Sequence, residues 1–188
     1  MASVLRFDDW ETTLGTGVVS TDGSGNVAVG GSSPSYKLDV TGDINATGAL
    51  RIGGTAVGAY TDYSGSITIS NFTIGNGTIV AQYTQVNDLV HYWGRVTWGS
   101  TTSLSGNPIH SVPIAAENVN YFGNCTFNDA GVNDYYGRSQ IYGGTNMLIR
   151  PFEQDGAGYI DFVNMSATAP FTWGTGDSWL WNIVYKAA

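Results

Sequence analysis

The feature that most limits how this chain can fold is a series of very short alternating segments in residues 16–60. Apolar side chains occur there in isolated pairs: Val27 with Val29, Leu38 with Val40, and Leu50 with Ile52. A strand with one or two apolar side chains cannot bury a core by itself, so it needs a partner that covers its apolar edge. Several copies wound around a common axis would supply this cover. The alternative is a flexible Gly/Ser linker.

Residues 61–188 alternate between apolar and polar side chains at a period of two, which predicts short antiparallel strands. We expect these strands at 66–72, 78–83, 89–98, 109–112, 121–127, 137–142, 147–152, 159–163 and 179–185. Loops are expected between them, including 105–108 and 128–133. Regularly spaced short strands are typical of a β-sandwich, here a jelly-roll-like one. The predicted fold is therefore all-β, with a short β stem followed by an antiparallel β-sandwich.

The predicted strand at 89–98 has two different faces. One face suits a sandwich core and carries Val90, Tyr92, Val96 and Trp98. The other is mixed, as expected of a subunit interface or a ligand surface, and carries Leu89, His91, Trp93, Arg95 and Thr97. In the strand at 121–127, Cys125 shares a face with Phe127, so we expect a buried small hydrophobe rather than a nucleophile.

Composition excludes several classes of protein. Charged residues make up 12% and aromatic residues 13% of the chain, which argues against disorder and against a coiled coil. The net charge is −8 with seven scattered basic residues, so nucleic acid is not an expected partner. No apolar run approaches the ~20 residues of a membrane helix, and no secretion signal is visible. A single cysteine gives no intrachain disulfide, and we expect no metal and no cofactor.

Residues 27–44 resemble a sequence element of a known family. Val27–Gly30 and Ser33–Ile44 resemble the stem element G-N-V-G-I-G-T-T-S-P-x-Y-K-L-D-V-x-G of bacteriophage tail fibres and related trimeric adhesins. The chain departs from it at Ala28 and Val29, where Gly and Ile are usual, and at Gly31-Ser32, which replaces Thr-Thr. A looser resemblance covers residues 83–90, 113–116 and 169–185, which are similar to the head domain of small phage fibre proteins.

The resemblance implies a homotrimeric tail fibre, a structural virion protein that is extracellular after host lysis. Residues 1–15 would dock the fibre onto a baseplate or tail protein. Residues 16–60 would form an intertwined trimeric β stem. Residues 61–188 would form a knob that attaches to a polysaccharide or lipopolysaccharide of the host surface.

The favoured receptor-contact residues lie in a predicted loop at 128–136 and just after it. Proteins bind sugars through aromatic rings together with side chains that hydrogen-bond to the hydroxyl groups, and this segment offers both. The candidates for glycan binding are Asp129, Asn133, Asp134, Tyr135, Tyr136 and Arg138. The alternative is a polar loop whose tyrosines pack locally. A second candidate surface is His91, Trp93 and Arg95, for which packing between subunits is favoured.

The N-terminal segment offers candidates for docking to the virion. Arg6, Phe7 and Trp10 have the aromatic and arginine composition of an interface hot spot. Three copies in a trimer would act multivalently. The alternative is a disordered terminus.

Enzymatic activity is not expected. No motif of a hydrolase, metalloprotease or P-loop protein occurs. A pair of carboxylates suffices for glycoside hydrolysis and could come from Glu117, Glu153, Asp155 and Asp161, but we expect these side chains to be solvated. Three alternatives remain: a small polysaccharide depolymerase, a virion adaptor or decoration protein without receptor binding, and a bacterial adhesin module.

Overall fold

The structure is a computed structural model that describes residues 9–11, 17–48, 50–52, 55–154 and 157–188. These residues form strands, turns and loops without a helix, which confirms the predicted all-β fold. None of them belongs to a helix that could span a bilayer. The chain divides into two compact units, Met1–Leu50 and Arg51–Ala188.

The first unit contains a four-stranded sheet in the order β1-β2-β3-β4. Its strands are β1 (Asp9–Glu11), β2 (Gly17–Thr21), β3 (Val27–Val29) and β4 (Leu38–Val40). The first three pair antiparallel, and β3 pairs with β4 in parallel. Among the described side chains of this unit, only Ser20 and Ala28 are buried. The sheet therefore has almost no core of its own.

Glycine is required at one turn of this unit. Gly30 follows β3 with a φ of 74°. A β-carbon at this position would come within 2.8 Å of the Thr41 carbonyl oxygen, which is closer than such contacts allow. The parallel pairing of β3 with β4 thus depends on the backbone freedom of Gly30.

The second unit contains a two-stranded ladder, β5 (Arg51–Ile52) with β6 (Thr55–Ala56), and a ten-stranded antiparallel sheet. The strands of the large sheet are β7 (Thr61–Asp62), β8 (Ile69–Thr73), β9 (Thr78–Val86), β10 (Leu89–Thr97), β11 (Ser103–Ser111), β12 (Tyr121–Asp129), β13 (Asn133–Tyr142), β14 (Asn146–Gln154), β15 (Ile160–Phe162) and β16 (Ser178–Lys186). Their order is β7-β9-β10-β16-β12-β13-β14-β11-β8, with β15 added to β14. Each of the nine strands predicted for residues 61–188 is present.

The large sheet curls over itself to make a sandwich-like core. In the sheet order, three strands separate β11 from β16, which in a flat sheet would place them about 19 Å apart. Nevertheless His110 of β11 and Trp181 of β16 have ring centroids 4.8 Å apart. Phe72 of β8 likewise lies 5.1 Å from Trp179 of β16. Side chains of β8 and β11, at one end of the sheet, therefore face those of β16, near its middle, across one core.

The core is dominated by aromatic rings, as the alternation predicts. Trp98 and Trp173 stack with centroids 5.1 Å apart and planes at 12°, and Tyr92 is fully buried. Cys125 is also buried, and this burial raises the pKa of its thiol. The prediction that Cys125 is a small core hydrophobe is confirmed.

The predicted loop at 105–108 is wrong, because these residues lie within β11. The register of β11 against β8 shifts between Leu104 and Ile109. Pro108 cannot donate a hydrogen bond to a ladder and is tolerated at such irregularities. The irregular stretch is thus a bulge inside a strand, which Gly and Pro signals alone do not distinguish from a loop.

Candidate functional site

The predicted glycan-binding loop is mostly strand, which corrects the sequence-based interpretation. In the β12–β13 hairpin, Asp129 pairs with Asn133, and Asn128 pairs with Asp134. Only residues 130–132 lie between the two strands, and Gly131 makes the tight turn with a φ of 80°. A three-residue connection with glycine at the left-handed position is a common hairpin turn, so the flanking residues continue the ladder.

Because the segment is a strand, its side chains alternate between two faces. Asp134 and Tyr136 lie on the outer face of the sheet and are exposed, and Arg138 follows on the same face. Tyr135 points the other way, is half-buried, and contacts Phe171 with centroids 5.2 Å apart. The six candidates therefore do not form one cluster.

The two candidates at the hairpin end, Asp129 and Asn133, make local contacts. Asn133 accepts a hydrogen bond from the backbone N–H of Asp134 through its Oδ1 atom, at 3.0 Å. The backbone carbonyl of Asp129 accepts the Val132 N–H at 2.9 Å. The Asp134 carboxylate in turn accepts a hydrogen bond from the Asn128 amide at 2.8 Å. These groups hold the hairpin, while the surface farther along β13 is left open.

Arg138 lies between two aromatic rings on the outer face. Its guanidinium carbon is 3.5 Å from the ring centroid of Phe162 and 5.2 Å from that of Phe122. With Asn124 these residues line a shallow pocket of about 310 Å³. The Nε atom of Arg138 is buried and has no hydrogen-bond partner. A stacked guanidinium beside an amide can recognise polar groups of a ligand through its N–H edge.

A second, larger pocket of about 540 Å³ lies at the Tyr136 side of the outer face. Tyr136, Phe152 and Ile160 line it, together with the predicted residues Asp134 and Tyr135. Tyr136 is 66% exposed and Ile160 is 74% exposed. Large apolar groups this exposed and this close together mark an interaction surface.

The second candidate surface of the sequence analysis lies on the same outer face. Asn182 accepts a hydrogen bond from Nε2 of His91 at 2.9 Å, and Nδ1 then accepts from the Tyr60 hydroxyl at 2.8 Å. Trp93 contacts the same Tyr60 ring edge-on, with centroids 6.4 Å apart. Trp93 and Asn182 line a pocket of about 260 Å³ that also includes Asn124. Because Asn124 lines the Arg138 pocket as well, the two surfaces are continuous.

Sequence reasoning missed several residues of this surface. Phe122 and Asn124 could have been found, because they alternate with the predicted core residue Cys125. Phe162 could not, because its contact with Arg138 spans more than twenty residues and comes from the three-residue strand β15.

Two of the candidate carboxylates lie together, and a third has a different partner. Glu117 pairs with Lys186, and the hydrogen bond from Lys186 lowers the pKa of Glu117. Glu153 lies directly opposite Asp161 in the β14–β15 ladder. Asp155 lies outside the described residues.

Two of the docking candidates, Arg6 and Phe7, also lie outside the described residues. Trp10 belongs to β1, where its backbone is opposite Val19 of β2. Virion docking through these residues stays a prediction.

The outer face offers recognition chemistry through aromatic rings, amide groups and a stacked guanidinium. Among the residues that the structure describes, no group of three or more His, Cys, Asp or Glu side chains could hold a metal ion. The chain matches no protein-family model, no curated protein and no solved structure.

Proposed function

We propose that this chain is a short, homotrimeric tail fibre of a bacteriophage that attaches to a host-surface glycan. It would be a non-enzymatic virion protein, located in the tail and extracellular after lysis. Its other partner would be a baseplate or tail protein, contacted through the N-terminal segment.

The observation that carries the proposal is the exposed apolar surface of the first unit. Tyr36 is 73%, Leu38 60% and Ile44 63% exposed in a single chain, while the sheet beside them buries almost nothing. Burial of apolar surface stabilises a fold by about 25 cal/mol per Å², and this unit gains little of it alone. Association with two sister copies would cover these side chains, in agreement with the resemblance of residues 27–44 to a trimeric stem.

The outer face of the second unit supports glycan binding. Tyr136 and Trp93 provide rings on which the apolar face of a sugar can stack, and Asn124 and Asn182 provide amides that can bind hydroxyl groups. Each such contact is weak, and three copies on one fibre would raise the avidity without new contacts.

A glycan array with the labelled full-length protein tests attachment. We expect binding to a limited set of bacterial surface glycans, weakened by Tyr136→Ser. The matched control is Val119→Ser, which removes another exposed apolar side chain (53% exposed) outside the outer-face pockets and should bind as the parent does. A protein that binds neither the array nor host cells, and does not block phage adsorption, would instead be an adaptor or decoration protein.

A depolymerase is the second candidate function, favoured by the opposed carboxyl residues Glu153 and Asp161. Two neighbouring carboxyl groups are the minimum for glycoside hydrolysis. A reducing-end assay on host polysaccharide separates the two functions. Release of reducing ends that is abolished by Glu153→Gln would replace the binding-only proposal.

A further inference from the structure

Two arginines lie side by side on the outer face. Arg138 of β13 and Arg150 of β14 are directly opposed across the ladder, and both are partly buried. Directly opposed side chains have β-carbons about 4.5–5.5 Å apart, and like charges in this position destabilise a sheet. In a chain with a net charge of −8, such a pair needs a reason.

No described carboxylate neutralises the pair. The ion pair found among the described residues joins Glu117 and Lys186. Glu153 is three residues beyond Arg150 on β14, so the strand alternation places it on the opposite face. The Nε atoms of both arginines are buried and have no hydrogen-bond partner.

The surroundings of Arg138 fix the orientation of its positive group. Its guanidinium stacks on Phe162 at 3.5 Å, which restricts the plane of the group, and Arg138 lines the shallow pocket on the outer face. A planar guanidinium edge matches the geometry of a carboxylate or a phosphate. Phe122 and Asn124 line the same pocket and can contact the apolar face and hydroxyl groups of an attached sugar.

We propose that the Arg138–Arg150 pair binds the oxyanion of an acidic saccharide, either a carboxylate or a phosphate group. This inference rests on the proposed function, because it names the ligand class of the same outer face. The oxyanion would compensate the opposed positive charges, and the sugar ring would lie toward Phe122 and Asn124.

The test is an NMR titration of the full-length protein, observing the arginine side-chain Nε–H resonances. The probes are glucose, glucuronate and glucose 6-phosphate, which share a ring and differ in the charged group. We expect saturable shifts at Arg138 and Arg150 with both anions, at dissociation constants of about 1–10 mM as for a few polar contacts. The tighter of the two anions identifies carboxylate or phosphate as the preferred group.

Arg95 belongs to the second candidate surface but lines neither the Arg138 pocket nor the Trp93 pocket, so it is the internal reference for nonspecific attraction of anions. It lies on β10 of the same sheet, but its cross-strand neighbours are the apolar residues Val80 and Leu180. We expect its resonance to move little. Equal, non-saturating shifts at all three arginines, or equal shifts with glucose, would overturn the proposal.

Two substitutions of Arg138 separate the effect of its planar geometry from that of its positive charge. Arg138→Gln should weaken anion binding about tenfold or more, because hydrogen bonds to charged groups contribute strongly. Arg138→Lys keeps the charge but loses the planar fork, so it should restore only part of the affinity. Full affinity in Arg138→Lys together with unchanged affinity in Arg150→Gln would contradict a paired site.

The outcomes for the two proposals are distinguishable. Glycan binding on the array without saturable anion binding would leave attachment in place and overturn the acidic specificity. Saturable anion binding by a protein that labels no glycan or cell would leave the anion site in place and overturn attachment. An arginine pair that is covered by a sister subunit would show no anion binding, which also overturns the inference.

Discussion

His110 should make the stability of the second unit depend on pH. Its ring is fully buried and lies edge-on to Trp181, and neither ring nitrogen has a hydrogen-bond partner. Burial disfavours the charged form and lowers the pKa of His110 from 6.5 to about 3. In the unfolded chain the same imidazole titrates near its ordinary pKa of about 6.5.

The sign and size of the effect follow from these two pKa values. Below about pH 6.5 the unfolded state binds a proton that the folded state does not, so stability falls as the pH is lowered. From about pH 7 to about pH 5, this linkage amounts to about 2 kcal/mol of unfolding free energy. The stability that comes from the neutral His110 imidazole is fully present above the pKa of the unfolded state. It is lost progressively as the pH falls toward the pKa of the folded state.

The assay is urea unfolding at several pH values, followed by tryptophan fluorescence at constant protein concentration. The unfolding free energy of the parent minus that of His110→Leu should decrease by about 2 kcal/mol between about pH 7 and about pH 5. Met147→Leu is the matched control, because Met147 is the buried cross-strand partner of His110 and does not titrate. A difference between parent and His110→Leu that is constant with pH would refute the assignment of a neutral buried imidazole.

Two further predictions concern packing and reactivity of the core. A β-carbon at Gly94 would overlap the Trp181 ring and lie 2.6 Å from the Val80 carbonyl oxygen, so Gly94→Ala should lower the melting temperature by about 3–10 °C. Gly65 has nothing within 4 Å of a built β-carbon, so Gly65→Ala should leave it nearly unchanged; equal effects would contradict the packing. Because burial raises the pKa of the Cys125 thiol, iodoacetamide should modify Cys125 only after unfolding, as seen by mass spectrometry; modification of the folded protein would contradict its burial.

Alternation predicted the strands of the second unit because one face of each is buried. Cys125 and Phe127 point into the core, and Asn124, the residue before Cys125, points outward. The curl of the sheet could not be predicted in this way. It depends on contacts such as that of His110 with Trp181, which lie far apart in the chain and are not encoded in any local pattern.

The candidate site was predicted in part. Arg138 and Tyr136 lie on the outer surface, whereas Tyr135 turns inward because adjacent residues of a strand face opposite sides. Interpretation of 128–136 as a loop failed because polar residues near a turn also continue a hairpin ladder. The pairing of Arg138 with Arg150 depends on strand register, which composition does not reveal.

The central claim is that the first unit covers its exposed apolar side chains by associating with two sister copies. Light scattering of the full-length protein at micromolar concentration measures this most directly. The account predicts a mass of about 60 kDa, three times the 19.9 kDa of one chain. A well-folded species of 19.9 kDa would contradict it.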